Sequence, residues 1–420
     1  MTTTISRTIL RSTWAAPLCA AVLLSSCELA VTNPGPIQAE ALNDANALNA
    51  VVNGSGRDLA EALNWVAYTG AAVAREIHPA GSTGSFGITP QQQSGKLMDD
   101  DVGTHWDLSQ RARWTAEDAV TRVKKVLGTA ASTRVTLAQG LVWTGFANRH
   151  LGENFCDGVI NGGAKQAYTV YLERAEAAFT EAITVAGAAA NANLVSAATA
   201  GRASVRLLRN NLPGAAADAA TVTNNAFVYR MPYYTNDLDQ QNRIHWASAN
   251  QPYRAHTVWN TYYEAYRKAS RDPRVPFDSS ATQLVGDAAV GNLGRVRWYF
   301  QTKHGLSTAP INLVSGWEMR LIEAEAKLAG GDRAGALTLL NARRTVLSIP
   351  LLTAAADADA WLALKRERGI ELWLEGRRLG DLRRWAALTR PGTLGPLEDM
   401  TGRDLCFVTP LSEKETNPNF

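Results

Sequence analysis

The segment Lys365–Trp385, KRERGIELWLEGRRLGDLRRW, constrains the chain more than any other stretch. Charged side chains outnumber large apolar ones in it. Yet Ile370, Trp373 and Leu374 fall at i, i+3, i+4, which is one apolar stripe on a helix. Glu367, Glu371 and Glu375 lie four apart and form an acidic row on another face. Gly376 interrupts the row, Arg377 and Asp381 repeat the four-residue spacing beyond it, and Leu379, Leu382 and Trp385 begin a second stripe. The spacing predicts a helix ending near Glu375, a glycine turn and a short second helix. So many charges beside two tryptophans mark either a buried ion network, in which the acidic row meets Arg368 and Arg378 at short helical spacing, or a site.

The rest of the chain supplies helical partners for this segment. Its apolar content is rich in alanine and poor in β-branched runs, which favours helices. Residues 38–52 predict a first helix, stopped by Asn53-Gly54-Ser55-Gly56, and Asp58–Ile77 a second. His78–Asp107 predicts a loop. Its acidic run Asp99–Asp101 lacks the spacing and closing Glu of an EF-hand, and His105-Trp106 is no metal motif. Helix Arg111–Leu127 follows. Then come helix pairs: Thr133–Phe155 with Tyr168–Ala186, Leu194–Asn210 with Pro213–Thr223, and, a hundred residues later, Ser315–Ala329 with Asp332–Val346. The last pair carries LAGGDRAGALTLLNARR, a Gly-Asp turn followed by alanines. The pattern predicts an all-α fold of tetratricopeptide-like helix pairs, with a plain antiparallel bundle as the alternative.

Two regions follow from this organisation, 27–226 and 227–420. The second opens with a loop-rich insert, 227–313, which holds 14 of the chain's 32 aromatic residues between Phe227 and Phe300. Asn and Gln are interleaved with them, as in YYTNDLDQQNRIHW. Aromatic faces beside amide donors suit carbohydrate or peptide ligands. Tyr233, Trp246 and Trp298 are the candidate ligand contacts. Trp259, Tyr262, Tyr263 and Tyr266 instead fit one helix face packed on the body.

Residues 1–26 read as a lipoprotein signal peptide. Arg7 and Arg11 precede the apolar run Ala15–Leu24, and Leu24-Ser25-Ser26-Cys27 resembles a lipobox in which Cys27 takes the lipid. The expectation is a membrane anchor of acyl chains with no spanning helix. Ala182–Gly201 is uncharged but mostly small and polar, and reads as two helix ends and their connection. Cys156 and Cys406 remain as an even pair in an exported chain. They predict one disulfide, with two free thiols as the alternative. The tail from Cys406 to Phe420 predicts a surface segment. A net charge of +3 with no basic run argues against a nucleic-acid partner.

Several of these stretches together resemble one family. RLIEAEAKLAGGDRAGALTLLNARR, then RERGIELWLEGRRLGDLRRW, then FVTPLSEKETNPN are similar to the C-terminal half of SusD/RagB-type nutrient-uptake lipoproteins. Asp272-Pro273-Arg274 sits where that family often carries Asp-x-Arg, and ELAVTNPG after Cys27 resembles its start. Pro410-Leu411-Ser412 departs from the Pro-Ile-Pro of many members. The resemblance implies a SusD-like helical lipoprotein on the outer face of the outer membrane. Such proteins partner a SusC-like TonB-dependent transporter and hand over glycans or other oligomers, with no catalytic residues and no cofactor. Two other functions compete. One is a tetratricopeptide scaffold in envelope assembly. The other is a helical glycoside hydrolase using Glu371 and Glu375, whose arginine neighbours work against a general acid. No nucleophile elbow, HExxH or phosphate loop is present in the sequence.

Overall fold

The computed structural model describes residues 40–82 and 87–420. The expected signal peptide, 1–26, and the expected lipid site, Cys27, lie outside the described residues. Residues Asn43–Phe420 form one compact unit, so the expected boundary at 226/227 falls within a single body. Its helices are α1 Leu48–Val73, α2 Pro90–Ser94, α3 Gly103–Leu127, α4 Val135–Asn154, α5 Thr169–Ala188, α6 Ala192–Leu208 and α7 Leu212–Thr221. They continue as α8 Arg243–Ser248, α9 Tyr262–Ser270, α10 Gly316–Ala329, α11 Arg333–Val346, α12 Asp357–Glu371, α13 Arg378–Ala387 and α14 Leu411–Thr416. No helix among the described residues is long and apolar enough to cross a membrane.

The three expected pairs are α4/α5, α6/α7 and α10/α11, and each helix packs on the next: α4 on α5, α5 on α6, α6 on α7, α7 on α10, α10 on α11. A repeated turn sets this stack. The left-handed residues Ala190, Asn210 and Gly331 each precede an Asn or Asp whose side chain caps the next helix. In each turn the cap N–H reaches back five residues, from Asn191 to Ala186 O, Asn211 to Arg206 O and Asp332 to Lys327 O. These are the bonds of a Schellman ending run directly into an N-cap. Close approach within the stack rests on glycine. A Cβ at Gly145 of α4 or Gly201 of α6 would lie 2.5 or 2.4 Å from the Phe179 ring of α5. That ring is thus wedged between two neighbours that have no side chain.

The insert leaves and re-enters the stack at one point. Val228–Met231 pairs antiparallel with Ile311–Ser315, Tyr229 opposite Val314 and Met231 opposite Ile311. The ladder brings the end of α7 beside the start of α10, which is how the third pair stacks on the second across a hundred residues.

Four expectations are corrected. Asn53-Gly54-Ser55-Gly56 does not stop a helix, because α1 runs through it. The stretch 78–107 is not all loop, since α2 has a Thr89/Gln92 capping box and α3 starts at Gly103. Helix α12 ends at Glu371, so Glu375 leaves the acidic row. The tail is not wholly superficial. Cys406 is disulfide-bonded to Cys156, their Cα atoms 5.2 Å apart, and Phe407 is buried with N–H bonds running both ways between the two segments.

Four buried histidines tie helices to their neighbours. His105 lies 2.8 Å from Thr69 Oγ1, His150 3.0 Å from Ser109 Oγ, His256 3.0 Å from Tyr68 OH and His304 3.1 Å from Asn242 Nδ2. Burial keeps all four rings neutral, with pKa values pushed down to about 3. In the unfolded chain they titrate near about 6.5. The unfolded chain therefore binds protons that the folded chain refuses, and their contribution is full above that pH and lost progressively below it. Glu76, pushed up to about 7 by burial, and the raised carboxyl of Glu375 act in the opposite sense. Glu61, Asp107, Asp287 and Glu323 are raised too, but among the carboxyls only Glu76 shifts far, against these four rings and His78, itself pushed down to about 4. The thermal midpoint is expected to fall between about pH 7 and about pH 5. A midpoint that holds or rises in calorimetry over this interval would refute the buried-neutral assignment.

Candidate functional site

The site is built on the Gly-rich part of α1. Gly56 has no side chain because the Trp143 indole of α4 lies there, where a Cβ would come 2.9 Å from Trp143 Nε1. The ring is half-buried, packs beside Tyr229 at 5.7 Å, and its N–H has no partner among the described residues. Over it runs the start of the insert. Met231–Tyr234 alternates as extended chain does, with Met231 and Tyr233 inward and Pro232 and Tyr234 outward. Tyr233 OH donates to Ala60 O at 3.0 Å and pins the segment on α1. Tyr234 is left 54% exposed.

Between them lies a cleft of about 520 Å³, lined by Trp143 and Tyr234 with Asn53, Asn236, Arg57 and Asp237. Arg57 Nη2 hydrogen-bonds Asp237 at 2.6 Å and holds its carboxyl below the usual carboxylate range, so the rim is an ion pair with no net charge. The amides of Asn53 and Asn236 and the Tyr234 hydroxyl have no protein partner among the described residues. Exposed rings beside unpaired amides and an indole N–H can cover an apolar sugar face while polar tips read its hydroxyls.

The three expected ligand contacts do not come together here. Tyr233 and Trp298 are 3% and 1% exposed, so neither ring is open to a ligand. Tyr233 serves the cleft by positioning its neighbour. Trp298 packs with Ala80 and Val296 in a separate small core. Trp246 is half-buried, beside Tyr253 at 5.7 Å, its N–H on Gln241 Oε1 at 3.0 Å. Sequence reasoning missed Trp143 and Tyr234. Two glycines inside an apolar helical period were the available signal for the first, and the period-2 register of the chain for the second.

The segment 365–385 is structural. Its acidic row does not meet Arg368 and Arg378 as short-range spacing suggests. Glu367 and Glu371 bind Arg274 of the Asp-Pro-Arg sequence at 2.8 and 3.1 Å, and Glu375 binds Lys303 and Asn312, each at 2.7 Å. Arg368 instead pairs with Asp381 and Arg378 with Glu398. Tyr263 of α9 stacks on Trp373 at 5.6 Å, so the α9 aromatic face is packing. Both carboxylates proposed for a hydrolase are thus held by cations. Among the described residues no group of three or more His, Cys, Asp or Glu could hold a metal ion.

Residues 318–419, which include this network, match the family model described as SusD family. No curated protein matches the chain by sequence. Among solved structures, a SusD superfamily protein from Bacteroides thetaiotaomicron VPI-5482 is similar with TM-score 0.65 at 14% identity, covering 89% of this chain and 98% of that one. A SusD-like carbohydrate binding protein from Bacteroides vulgatus ATCC 8482 gives 0.59 at 17% identity, covering 81% and 83%. A SusD superfamily protein from the same organism gives 0.61 at 14%, covering 90% and 98%. The family model thus matches the C-terminal region alone, and the fold of the chain is the one that SusD superfamily proteins adopt.

The two glycines of α1 separate packing from propensity. A Cβ at Gly54 meets nothing within 4 Å, so Gly54→Ala is expected to stabilise by about 0.5–1 kcal/mol through helix propensity. Gly56→Ala has the same propensity gain but must displace the indole. Urea midpoints should therefore rise for the first variant and not for the second. Equal gains would mean that Trp143 does not rest on α1.

Proposed function

We propose that the protein captures a glycan at the cell surface. On this reading the cleft at Trp143 and Tyr234 holds the sugar, and Cys27 carries a lipid that anchors the chain to the outer membrane. The captured glycan passes to a SusC-like TonB-dependent transporter. One observation carries the proposal. An open tyrosine and an indole with an unpaired N–H line a cleft with free amides, on the fold of a SusD-like carbohydrate binding protein. The cleft's size lies in the range of small-ligand sites. Its rim pair cancels in charge, which suits a neutral ligand. A scaffold role would leave this cleft without a purpose.

Capture is tested by thermal shift and calorimetry against neutral oligosaccharides and, for comparison, peptides. A glycan should raise the thermal midpoint. Tyr234→Ala should weaken its binding about tenfold, the cost of an exposed ring contact, with the unliganded midpoint unchanged. Stabilisation by peptides alone, or wild-type affinity in Tyr234→Ala, would overturn the proposal.

Anchoring and delivery have separate readouts. Cys27→Ala is expected to move the protein from the membrane to the soluble fraction. The wild type, extracted in mild detergent, should bring down a β-barrel transporter. Membrane retention of Cys27→Ala counts against the anchor, and a preparation with no barrel counts against delivery.

A further inference from the structure

We infer that the flank of α3 around Trp114 is a second subsite of the same surface, so that the ligand is a linear, uncharged oligosaccharide spanning two ring platforms. The inference rests on the capture reading above. Trp114 is 53% exposed and borders a hollow of about 290 Å³. A lone exposed tryptophan is ordinary on a protein surface. Three observations distinguish this one.

The first is that the hollow's wall is rigid. Arg113 is buried and locked on three sides, by Gln110 Oε1 at 3.1 Å, Glu117 Oε2 at 2.7 Å and Asn161 Oδ1 at 2.8 Å. The second is that donors remain free around the ring. The Trp114 indole N–H, the Asn161 amide and the Nη1 group of Arg111 have no protein acceptor among the described residues, although all three residues line the hollow. The third is continuity with the first cleft. A single oxygen, Glu61 Oε2, accepts Arg57 Nη1 at 3.1 Å and Arg111 Nη2 at 2.6 Å. Arg57 lines the Tyr234 cleft and Arg111 lines the Trp114 hollow. One carboxylate therefore joins the two rims.

The charges also indicate the ligand class. Arg57 pairs with Asp237, Arg111 with Glu61 and Arg113 with Glu117. Every one of these cations already faces a carboxylate, so the strip presents donors and rings but no unmatched positive charge for an acidic sugar.

The test is calorimetry with malto-, cello-, manno- and xylo-oligosaccharides, as disaccharides and hexasaccharides, with oligogalacturonate as the acidic comparison. The proteins are wild type, Trp114→Ala, Trp114→Phe and Tyr234→Ala. For the series that binds wild type, Trp114→Ala should weaken the hexasaccharide about tenfold and leave the disaccharide unchanged. Trp114→Phe should restore most of the loss. An unchanged thermal midpoint in each variant shows that folding is intact. Hexasaccharide affinity lost in Tyr234→Ala but retained in Trp114→Ala overturns the second subsite and leaves the capture reading in place. Affinity retained in both variants overturns both cleft assignments. No binding by wild type to any neutral series overturns the inference together with the capture reading. Tighter binding of oligogalacturonate overturns the uncharged class.

Discussion

The guanidinium of Arg377 is the interaction on which the stack depends. It donates to Glu153 Oε1 of α4 at 2.7 Å and to Ser204 Oγ of α6 at 3.0 Å, and it faces Glu318 of α10 at 2.9 Å. One side chain thus joins a helix from each of the three pairs. Burial works against its charge, but Glu153 and Glu318 more than offset that, and its pKa is raised. Buried pairs of this kind add little net stability over a packed apolar core. Their removal is what costs, about 3–5 kcal/mol, because a partner is left charged and unpaired. Here Glu318 would be left without an ion partner, while Glu153 would keep only Arg149 at 3.6 Å. The network therefore specifies one arrangement of the pairs more than it adds stability to any arrangement.

The same segment fixes the insert to the stack. Arg377 and Arg149 both donate to Leu313 O, on the strand by which the insert returns. Asp381 receives Arg368 and Arg384, and Arg384 continues to Glu325 of α10, which also accepts the Trp385 indole. On the other side Arg274, brought in by the insert, takes Glu367 and Glu371 from α12. The turn 372–377 between α12 and α13 thereby holds both structural parts, the helix stack behind it and the insert in front. The segment matched by the family model lies where these two parts are joined, and the cleft at Trp143 and Tyr234 lies elsewhere.

How far this was legible depends on the range of each interaction. Helix pairs were readable because a 3.6-residue period and small residues at crossings are local signals. The disulfide was readable because only two cysteines follow Cys27. The partners of Glu367, Glu371 and Glu375 were not. Arg274 reaches Glu367 across 93 residues and Lys303 reaches Glu375 across 72, while short helical spacing pointed to nearer arginines. At the cleft the failures were of register and of context. Tyr233 and Tyr234 are chemically the same in sequence, and only the pleat of an extended chain decides which one turns outward. Gly54-Ser55-Gly56 reads as a helix stop until an indole from α4 is laid on it.

The cleft's rings are set before any ligand arrives. Asn64 of α1, fully buried, donates to Gln241 O at 2.5 Å and accepts from Arg243 N at 2.7 Å, so one side chain of the helix clamps both sides of a bend in the insert. Tyr233 adds a third bond to α1 one turn earlier, at Ala60. The loop that presents Tyr234 is thus tied to a helix whose other faces are core, and little ordering remains for a ligand to impose. This separation of duties follows from the chemistry. Buried ions tolerate few substitutions, since each leaves an unpaired charge. An exposed ring or amide on a loop pinned through backbone atoms can be exchanged at small cost to the fold. A chain built this way can keep its stack while its ligand changes.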